Sequence, residues 1–399
     1  MRLSIAKNSL WLLLARIGMQ GMAALFTILL ARRLGSSGFG EYAFIAAIIF
    51  IGNMLTTFGT DMSLIREIAG CDDLSLLPAS LFIQLILSTM FIGITWLLAP
   101  LLPNQSAEAI LALRIYSFAL IPLALFTVFT TALRGKQFMA AYTWLNLIGS
   151  FLQLAIVWLF LRKSEGLVTL AYLLLLNQII IALIGAMICH LRIQGFWAGW
   201  RFAINDASLL LKVSAPLALL AMIAMVYQRL SVILLSVLSG PALTGWFSVA
   251  QRTVEATKTG HVSVFTALYP AMAQSKNETF HLPWMLLLVG AGLGAVILSV
   301  LAEPLTRILF GVEYEASVPA LQILAWMLIP YTISTFLTLK LIALNREKPV
   351  LRASLASLFV LAALSWWWIP LAGLTGASGS ALVAESLQAG LLFLQWRAM

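Results

Sequence analysis

Twelve apolar stretches of about 20 residues follow one another along the chain, at 10–31, 41–65, 79–102, 109–133, 138–161, 167–190, 208–236, 243–272, 283–303, 319–343, 350–371 and 374–396. At 1.5 Å per residue, about 20 apolar residues cross the hydrocarbon core of a bilayer. The pattern predicts an all-α polytopic membrane protein with twelve transmembrane helices. Only 10% of the 399 residues are charged, against about 25% in a soluble domain. Twelve spans consume roughly 240 residues, and the rest must serve two tails and eleven connections. A separate catalytic module, nucleotide-binding cassette or nucleic-acid-binding domain has no room, so any function sits among the helices.

The formal charge of +9 reads as a topology signal once its distribution is followed. With the N-terminus inside, fourteen Lys and Arg fall on cytosolic segments, five on outer segments (Arg32, Arg33, Arg162, Lys163, Arg307) and five within spans. Positive charge resists translocation, so both termini are expected in the cytoplasm. Trp96, Trp158, Trp246 and Trp366 to Trp368 fall at predicted outer ends, and Trp11, Trp284 and Trp396 at inner ends, where amphipathic rings prefer the interface. The run from Leu10 contains Arg16 and lacks a cleavage site, so it reads as an uncleaved first span. The connection from Leu191 to Asp206 mixes Arg192 and Arg201 with Phe196, Trp197, Trp200 and Phe202, and is expected to lie on cytosolic headgroups.

Cys71 and Cys189 are far apart in sequence, and His190, His261 and His281 share no ligand spacing, so neither a disulfide framework nor a metal site is expected. No Gly-rich phosphate loop precedes a Lys. No cofactor is expected, and energy would come from an ion or substrate gradient, H+ or Na+ being the candidates.

The chain repeats itself. Leu34-Gly35-Ser36-Ser37-Gly38-Phe39-Gly40-Glu41-Tyr42 leads into span two, and Ser239-Gly240-Pro241-Ala242-Leu243-Thr244-Gly245-Trp246-Phe247 leads into span eight. At an offset of 205, Gly35 meets Gly240 and Gly40 meets Gly245. Glu165-Gly166-Leu167 and Ala372-Gly373-Leu374 form a second echo. The bland alternative for any single pair is that glycine makes a tight turn. Together the echoes predict two six-span lobes, an N-lobe over 1–200 and a C-lobe over 201–399. Six being even, both halves enter the membrane from the same side, giving a parallel pseudo-two-fold repeat. Two such lobes can rock about a central cavity.

Ala31-Arg32-Arg33-Leu34-Gly35-Ser36-Ser37-Gly38-Phe39-Gly40-Glu41-Tyr42, followed by Phe58-Gly59-Thr60-Asp61 and Arg66-Glu67-Ile68-Ala69, resembles the amino-terminal signature of a known family. That family is the polysaccharide transporters, or Wzx-type oligosaccharide flippases, of the multidrug/oligosaccharidyl-lipid/polysaccharide exporter superfamily. Leu309-Phe310-Gly311-Val312-Glu313-Tyr314 and Gly373-Leu374-Thr375-Gly376-Ala377 are similar to further family features. The resemblance implies two lobes that alternate access and carry an undecaprenyl-diphosphate-linked glycan unit, an O-antigen or exopolysaccharide repeat, to the outer leaflet of a bacterial inner membrane. Polysaccharide polymerase machinery is the implied protein partner.

Arg16, Arg114, Arg229, Arg252 and Lys258 fall within spans. At about 2.5 to 3.5 kcal/mol each on the insertion scale, five lipid-facing cations would be prohibitive, so most must face protein or water. Arg114 is near an outer end and can snorkel. Arg16, with Gln20 one turn deeper, either lines an inward-open cavity or snorkels. Arg229, beside Gln228, lies deeper. Span eight carries Arg252, Glu255, Lys258 and His261 at three-residue steps, where Glu255 can pair with either neighbour, yet one carboxylate cannot neutralise both. Three-residue steps drift by about 60° on a helix, so this series is either a cavity lining or a self-satisfied ladder.

Arg forks and a Lys ammonium match phosphate oxygens, which makes Arg229, Arg252 and Lys258 the candidate diphosphate contacts, with Arg16 a substrate contact at the inner mouth. Asn53, with Thr56 and Thr57 beside it, is a candidate sugar contact, and Gln20 is a candidate substrate contact beside Arg16. Asp61 and Glu255 are the candidate ion-coupling carboxylates, Asp61 being equally suited to pairing with Arg66. Pro216 and Pro330 can bend spans seven and ten by removing a backbone donor. A multidrug exporter of organic cations would need a more acidic interior, and a glycan polymerase a larger outer loop than 303–318. Asp72-Asp73 lacks a second acidic cluster and reads as a solvated loop.

Overall fold

The computed structural model describes residues 2–162, 166–197, 200, 204–274, 281–344 and 346–397, with the side chains of 2–10, 12–16, 204–205, 216–217, 220, 259–274, 281–283 and 343 outside the description. Among the described residues there are fourteen α-helices and no strand. They are α1 (Arg2–Thr57), α2 (Thr60–Cys71), α3 (Leu77–Leu98), α4 (Ala107–Ser117), α5 (Leu120–Gly135), α6 (Met139–Phe160), α7 (Leu167–Arg192) and α8 (Ile204–Ser239). Then follow α9 (Pro241–Gln274), α10 (His281–Val300), α11 (Ala302–Leu309), α12 (Val318–Ala325), α13 (Leu328–Ala343) and α14 (Glu347–Arg397).

A helix satisfies its backbone groups within its own segment and leaves no edge inside hydrocarbon. Large apolar side chains accordingly face outward, with Leu97 75%, Phe359 71% and Leu371 73% exposed. Seven helices among the described residues are long and apolar enough to cross a membrane, or up to nine if each of two bent pairs is one span. The sequence-based expectation of twelve adds to these the breaks inside α1 and α14 and the charged helix α9.

Breaks fall where the backbone dictates them. Non-helical Gly35 (φ 70°) divides α1, and Gly240 (φ 87°) separates α8 from α9. Both occupy the left-handed region open to glycine, at the offset of 205 seen in the sequence. A second pair comes from proline. Pro122 and Pro330 each sit third in their helix, α5 and α13, and lack the N–H that would reach the carbonyl four residues back. The preceding residues bond one residue short instead, Ile121 N–H to Phe118 O at 3.2 Å and Ile329 N–H to Trp326 O at 3.4 Å. The expected single spans 109–133 and 319–343 are thus each two helices, bent by 42° at the second. Pro216 lies outside the described side chains. The expected span 41–65 is also broken: Phe58 (φ 49°) and Gly59 (φ 64°) end α1 and start α2.

The chain sorts into two compact units, Met1–Leu29 with Ile45–Met225, and Leu30–Phe44 with Val226–Met399. The first has a core of Leu64, Ile68, Leu77, Val128, Phe129, Leu145 and Ile181. Phe196 joins that core, 6.1 Å from the Phe129 ring and stacked edge-on against Trp197 at 4.8 Å. The aromatic connection after α7 therefore turns one ring inward instead of lying wholly on headgroups. In the second unit Phe336, Leu337, Leu341, Val350 and Leu392 pack together, with Trp284 against Phe336 at 4.4 Å.

Within the second unit the repeated glycines meet each other. A Cβ on Gly40 would fall 1.8 Å from Pro241 O, and one on Gly245 would fall 2.0 Å from Ser36 O. Ser36 and Gly40 correspond to Pro241 and Gly245 at the offset of 205, so the two contacts are the same contact made twice. A reciprocal pair of this kind is what a two-fold relation produces. Small residues at such crossings let helix backbones approach closely in a membrane.

The connection around 308–314 is built onto this crossing. The Arg32 guanidinium donates through Nε to Leu309 O at 2.8 Å and through Nη2 to Ile308 O, capping the last carbonyls of α11. Ser36 N–H donates to Glu313 Oε1 at 2.7 Å, Tyr314 O–H to Ala31 O at 3.0 Å and Trp246 Nε1–H to Glu313 O at 3.0 Å. Two of the stretches that carried the family resemblance, 31–42 and 309–314, are one packed structure.

Candidate functional site in the C-terminal half

α8 and α9 emerge from the Gly240 break with their polar residues brought together. Glu255 on α9 takes Arg229 Nη1 from α8 at 3.6 Å on Oε1 and Arg252 Nη1 at 3.4 Å on Oε2. Gln251 Nε2 donates to Glu255 Oε1 and to Gln228 O, both at 3.1 Å. Side-chain exposure rises from 12% at Arg229 through 26% at Glu255 to 39% at Arg252, so Arg252 has the open face. Lys258 does not pair with Glu255. Three residues on, it has rotated by about 60°, and its ammonium lies 4.4 Å above the Tyr331 ring, a contact worth about 0.5 to 2 kcal/mol. Three cations against one carboxylate leave two positive charges in excess. His261 lies outside the described side chains.

Tyr42, at the end of the glycine motif, interacts electrostatically with both Arg252 and Arg229. The sequence reading passed over Tyr42 and Gln251; for Tyr42 the available signal was its place about two turns into the helix opened by Gly35. Glu385 was also missed. It is 5% exposed on α14, where its Oε2 accepts from Tyr227 O–H at 3.1 Å and its Oε1 lies 2.9 Å from Ser334 Oγ.

A guanidinium with an open face offers parallel donors to a phosphate. Any incoming anion competes with Glu255 for Arg252. Binding then exchanges one anion for another, which holds affinity down and favours release.

A family model described as polysaccharide biosynthesis protein matches residues 5–276, about two thirds of the chain. The chain belongs to that family. No curated protein sequence matches it. Among solved structures, the lipid II flippase MurJ in an inward closed conformation is similar with a TM-score of 0.80 at 16% identity, covering 98% of this chain and 87% of that one. An inward-facing multidrug resistance MATE family transporter of the MOP superfamily scores 0.75 at 13% identity, covering 96% and 97%. A MOP superfamily transporter from Pyrococcus furiosus, described by a reversed polarity of its binding pocket that suggests a different function, scores 0.66 at 15%, covering 98% and 95%. The fold is that of the MOP superfamily transporters.

In this member of the family the remaining sequence-selected residues lie in the first unit. Asn53 is half-buried on α1, and its carbonyl takes the hydroxyls of Thr56 at 3.1 Å and Thr57 at 2.6 Å. Thr60 continues the network, receiving Ser80 Oγ at 2.9 Å and Gln84 Nε2 at 3.1 Å. Thr56 and Thr57 thus support the helix break. Asp61 is half-buried in the first turn of α2, where a helix N-terminus favours a carboxylate. Among the described residues it forms no ion pair with Arg66, which is exposed. Gln20 is half-buried, and the Arg16 side chain lies outside the description.

Arg114 is a structural cation. It donates through Nη2 to Trp96 O at 2.9 Å and lies 5.2 Å over the Trp96 ring. Asp72 and Asp73 turn to different partners, Asp72 to Lys136 Nζ at 2.6 Å and Asp73 to Ser75 N–H at 2.9 Å and Oγ at 2.6 Å. The Ser75 hydroxyl and amide hold the Asp73 carboxyl below its usual range. Among the described residues no cluster of His, Cys, Asp or Glu is arranged to hold a metal ion.

Proposed function

We propose that the protein is a flippase, and not an enzyme, that moves an undecaprenyl-diphosphate-linked oligosaccharide, an O-antigen or exopolysaccharide repeat unit, across the bacterial inner membrane by alternating access. The observation that carries this reading is the excess of two positive charges at the Arg229, Arg252, Lys258 and Glu255 cluster, on α8, which is long and apolar enough to cross a membrane, and on α9, the expected eighth span. Cations at such depth are costly unless an anion or water meets them, and a lipid diphosphate is the anion that a polysaccharide-biosynthesis family member would encounter there. Arg252, with its open face, makes the leading contact, and Arg229 and Lys258 extend the field. Arg16, Gln20 and Asn53 meet the headgroup and sugars from the N-terminal half. Asp61 and Glu255 are the ion-coupling carboxylates to test first, with H+ or Na+ as the driving ion. Both termini are cytoplasmic, and polymerase machinery receives the product.

An exporter of organic cations in the same superfamily would place excess acid where this chain places excess base. In one structural neighbour a reversed polarity of the binding pocket suggests a different function, and the sign of the charge is the discriminator used here. Depletion followed by lipid analysis tests the proposal. Undecaprenyl-linked oligosaccharide retained on the cytosolic leaflet supports it, whereas unpolymerised units on the outer leaflet would point to a polymerase. Normal distribution with altered drug sensitivity would point to a multidrug exporter.

A further inference from the structure

Glu385 takes no part in the cargo cluster, yet among the described residues it is the most enclosed carboxylate of the second unit, 5% exposed and midway along the helix that follows the break at Gly373. An ionisable group at such a depth is costly and calls for a function. Its two oxygens have separate partners. Tyr227 O–H on α8 donates to Oε2 at 3.1 Å, and Ser334 Oγ on α13 lies 2.9 Å from Oε1.

Ser334 Oγ also lies 3.1 Å from Tyr331 O, one turn back on its own helix. A hydroxyl has a single hydrogen, so Ser334 cannot donate to Glu385 and to Tyr331 at once. With Glu385 ionised, Ser334 donates to Oε1 and Tyr227 to Oε2. With Oε1 protonated, Glu385 donates to Ser334 Oγ, Ser334 turns its hydrogen to Tyr331 O, and Tyr227 still donates to Oε2, now a carbonyl oxygen. Both states satisfy every group with the heavy atoms in place. Protonation adds one proton and removes one negative charge, and deprotonation returns it.

From this geometry we infer that Glu385 is a reversible proton-binding site in the C-terminal half, with the Ser334 hydroxyl reversing its bond as the proton arrives and leaves. The ligand is a proton. Among the described side chains, the charged and titratable groups on the elements packed against α14 are Arg252, Glu255 and Lys258 on α9 and Tyr331 and Lys340 on α13, with none on α12, and α8 reaches Glu385 through Tyr227. Of these, Tyr227 alone hydrogen-bonds Glu385, and no cation among the described residues forms an ion pair with it. Both tethers lead back to the cargo cluster. Tyr227 is two residues before Arg229, and Tyr331, whose carbonyl takes the Ser334 hydrogen, carries Lys258 over its ring. Occupancy by a proton raises the net charge of this half by one and strengthens its hold on an anion, so Glu385 couples an ion gradient to cargo affinity. That coupling role rests on the flippase reading; proton binding does not.

The test is infrared difference spectroscopy of the purified full-length protein, taken between acid and alkaline buffer without cargo. The wild type is expected to show a carboxylic-acid carbonyl band that Glu385→Gln removes. Tyr227→Phe is expected to shift the band to higher frequency, because the carbonyl loses its donor. Absence of the band from wild type, its persistence in Glu385→Gln, or an unmoved band in Tyr227→Phe would each overturn the assignment. Because Tyr227→Phe keeps the carboxyl, it decides the matter even if Glu385→Gln fails to fold. A positive result here alongside normal lipid distribution after depletion would remove the flippase reading and leave the proton site standing.

Discussion

Adding one methyl at Gly40 or Gly245 tests the reciprocal helix crossing with a magnitude set by two distances. A carbon beside a carbonyl oxygen is comfortable at about 3.3 to 3.6 Å, and the added Cβ would fall 1.8 Å from Pro241 O or 2.0 Å from Ser36 O. The obstacle in each case is backbone, which cannot rotate aside, so the helices must part by more than about 1 Å. Overpacking of this kind costs about 1 to 3 kcal/mol. In a unit of about 190 residues, about 2 kcal/mol corresponds to roughly 4 to 8 °C of melting temperature. Because the two clashes share one crossing, separation forced by the first methyl relieves the second. Gly40→Ala with Gly245→Ala should therefore lose clearly less than the sum of the single losses. Gly290→Ala is the control, as nothing lies within 4 Å of its Cβ position. Thermal unfolding of the four purified variants in one detergent measures all of this. Single variants melting with the wild type, or strictly additive losses, would refute the shared crossing.

Three further outcomes are expected. Glu313→Ala removes the acceptor of Ser36 N–H and should cost about 1 to 2 kcal/mol in thermal unfolding, whereas Glu313→Gln keeps an oxygen there and should stay near wild type. Arg252→Gln and Lys258→Gln should each insert normally and reduce surface glycan, scored by export in a deletion strain, with Arg252 the more severe because its face is open; full export in both would remove them as cargo contacts. Arg114→Gln loses its bond to Trp96 and should lower stability by about 1 kcal/mol while leaving export unchanged, so a lost export phenotype with normal protein level would contradict its structural assignment.

The helical class was legible because the length of an apolar run governs what can cross a bilayer, and the repeat was legible because Gly35, Gly40, Gly240 and Gly245 are demanded by backbone conformation or close approach. The breaks at 118–119 and 326–327 were readable only in part. Pro330 pointed to a bend, but its partner Pro122 passed unnoticed, and both bends precede the proline because it is the carbonyl four residues back that loses its donor. Spacing along α9 offered Arg252 and Lys258 as partners of Glu255, and Arg252 is one of them. Its other partner, Arg229, comes from α8, and only the fold reveals a cross-helix ion pair. Glu385 was invisible for the same reason: Tyr227, Ser334 and Glu385 are separated by more than 50 residues at each step and share no motif.

The repeat also shows where chemistry was added to a symmetric frame. Helices run uninterrupted on either side of Gly35 and Gly240, so the offset of 205 carries beyond the motif. It pairs Arg229 with Ala24, Arg252 with Ala47, Glu255 with Phe50 and Lys258 with Asn53. Every charge of the cluster thus has an uncharged counterpart, while the glycines that let the helices touch are kept in both copies. Backbone approach imposes the same residue on both halves because the contact is reciprocal. Charge obeys no such rule, since each added cation in the membrane costs about 2.5 to 3.5 kcal/mol unless it is met. Placing all of it in one half lets Glu255 serve two guanidiniums at once. Two clusters would need two counter-ions and would hold a single diphosphate no better. Introducing Asn53→Lys should accordingly leave cargo retention unimproved and lower stability, as measured by lipid co-purification and thermal unfolding. A variant that bound cargo more tightly would show instead that a second cation at this register adds to the hold on the anion.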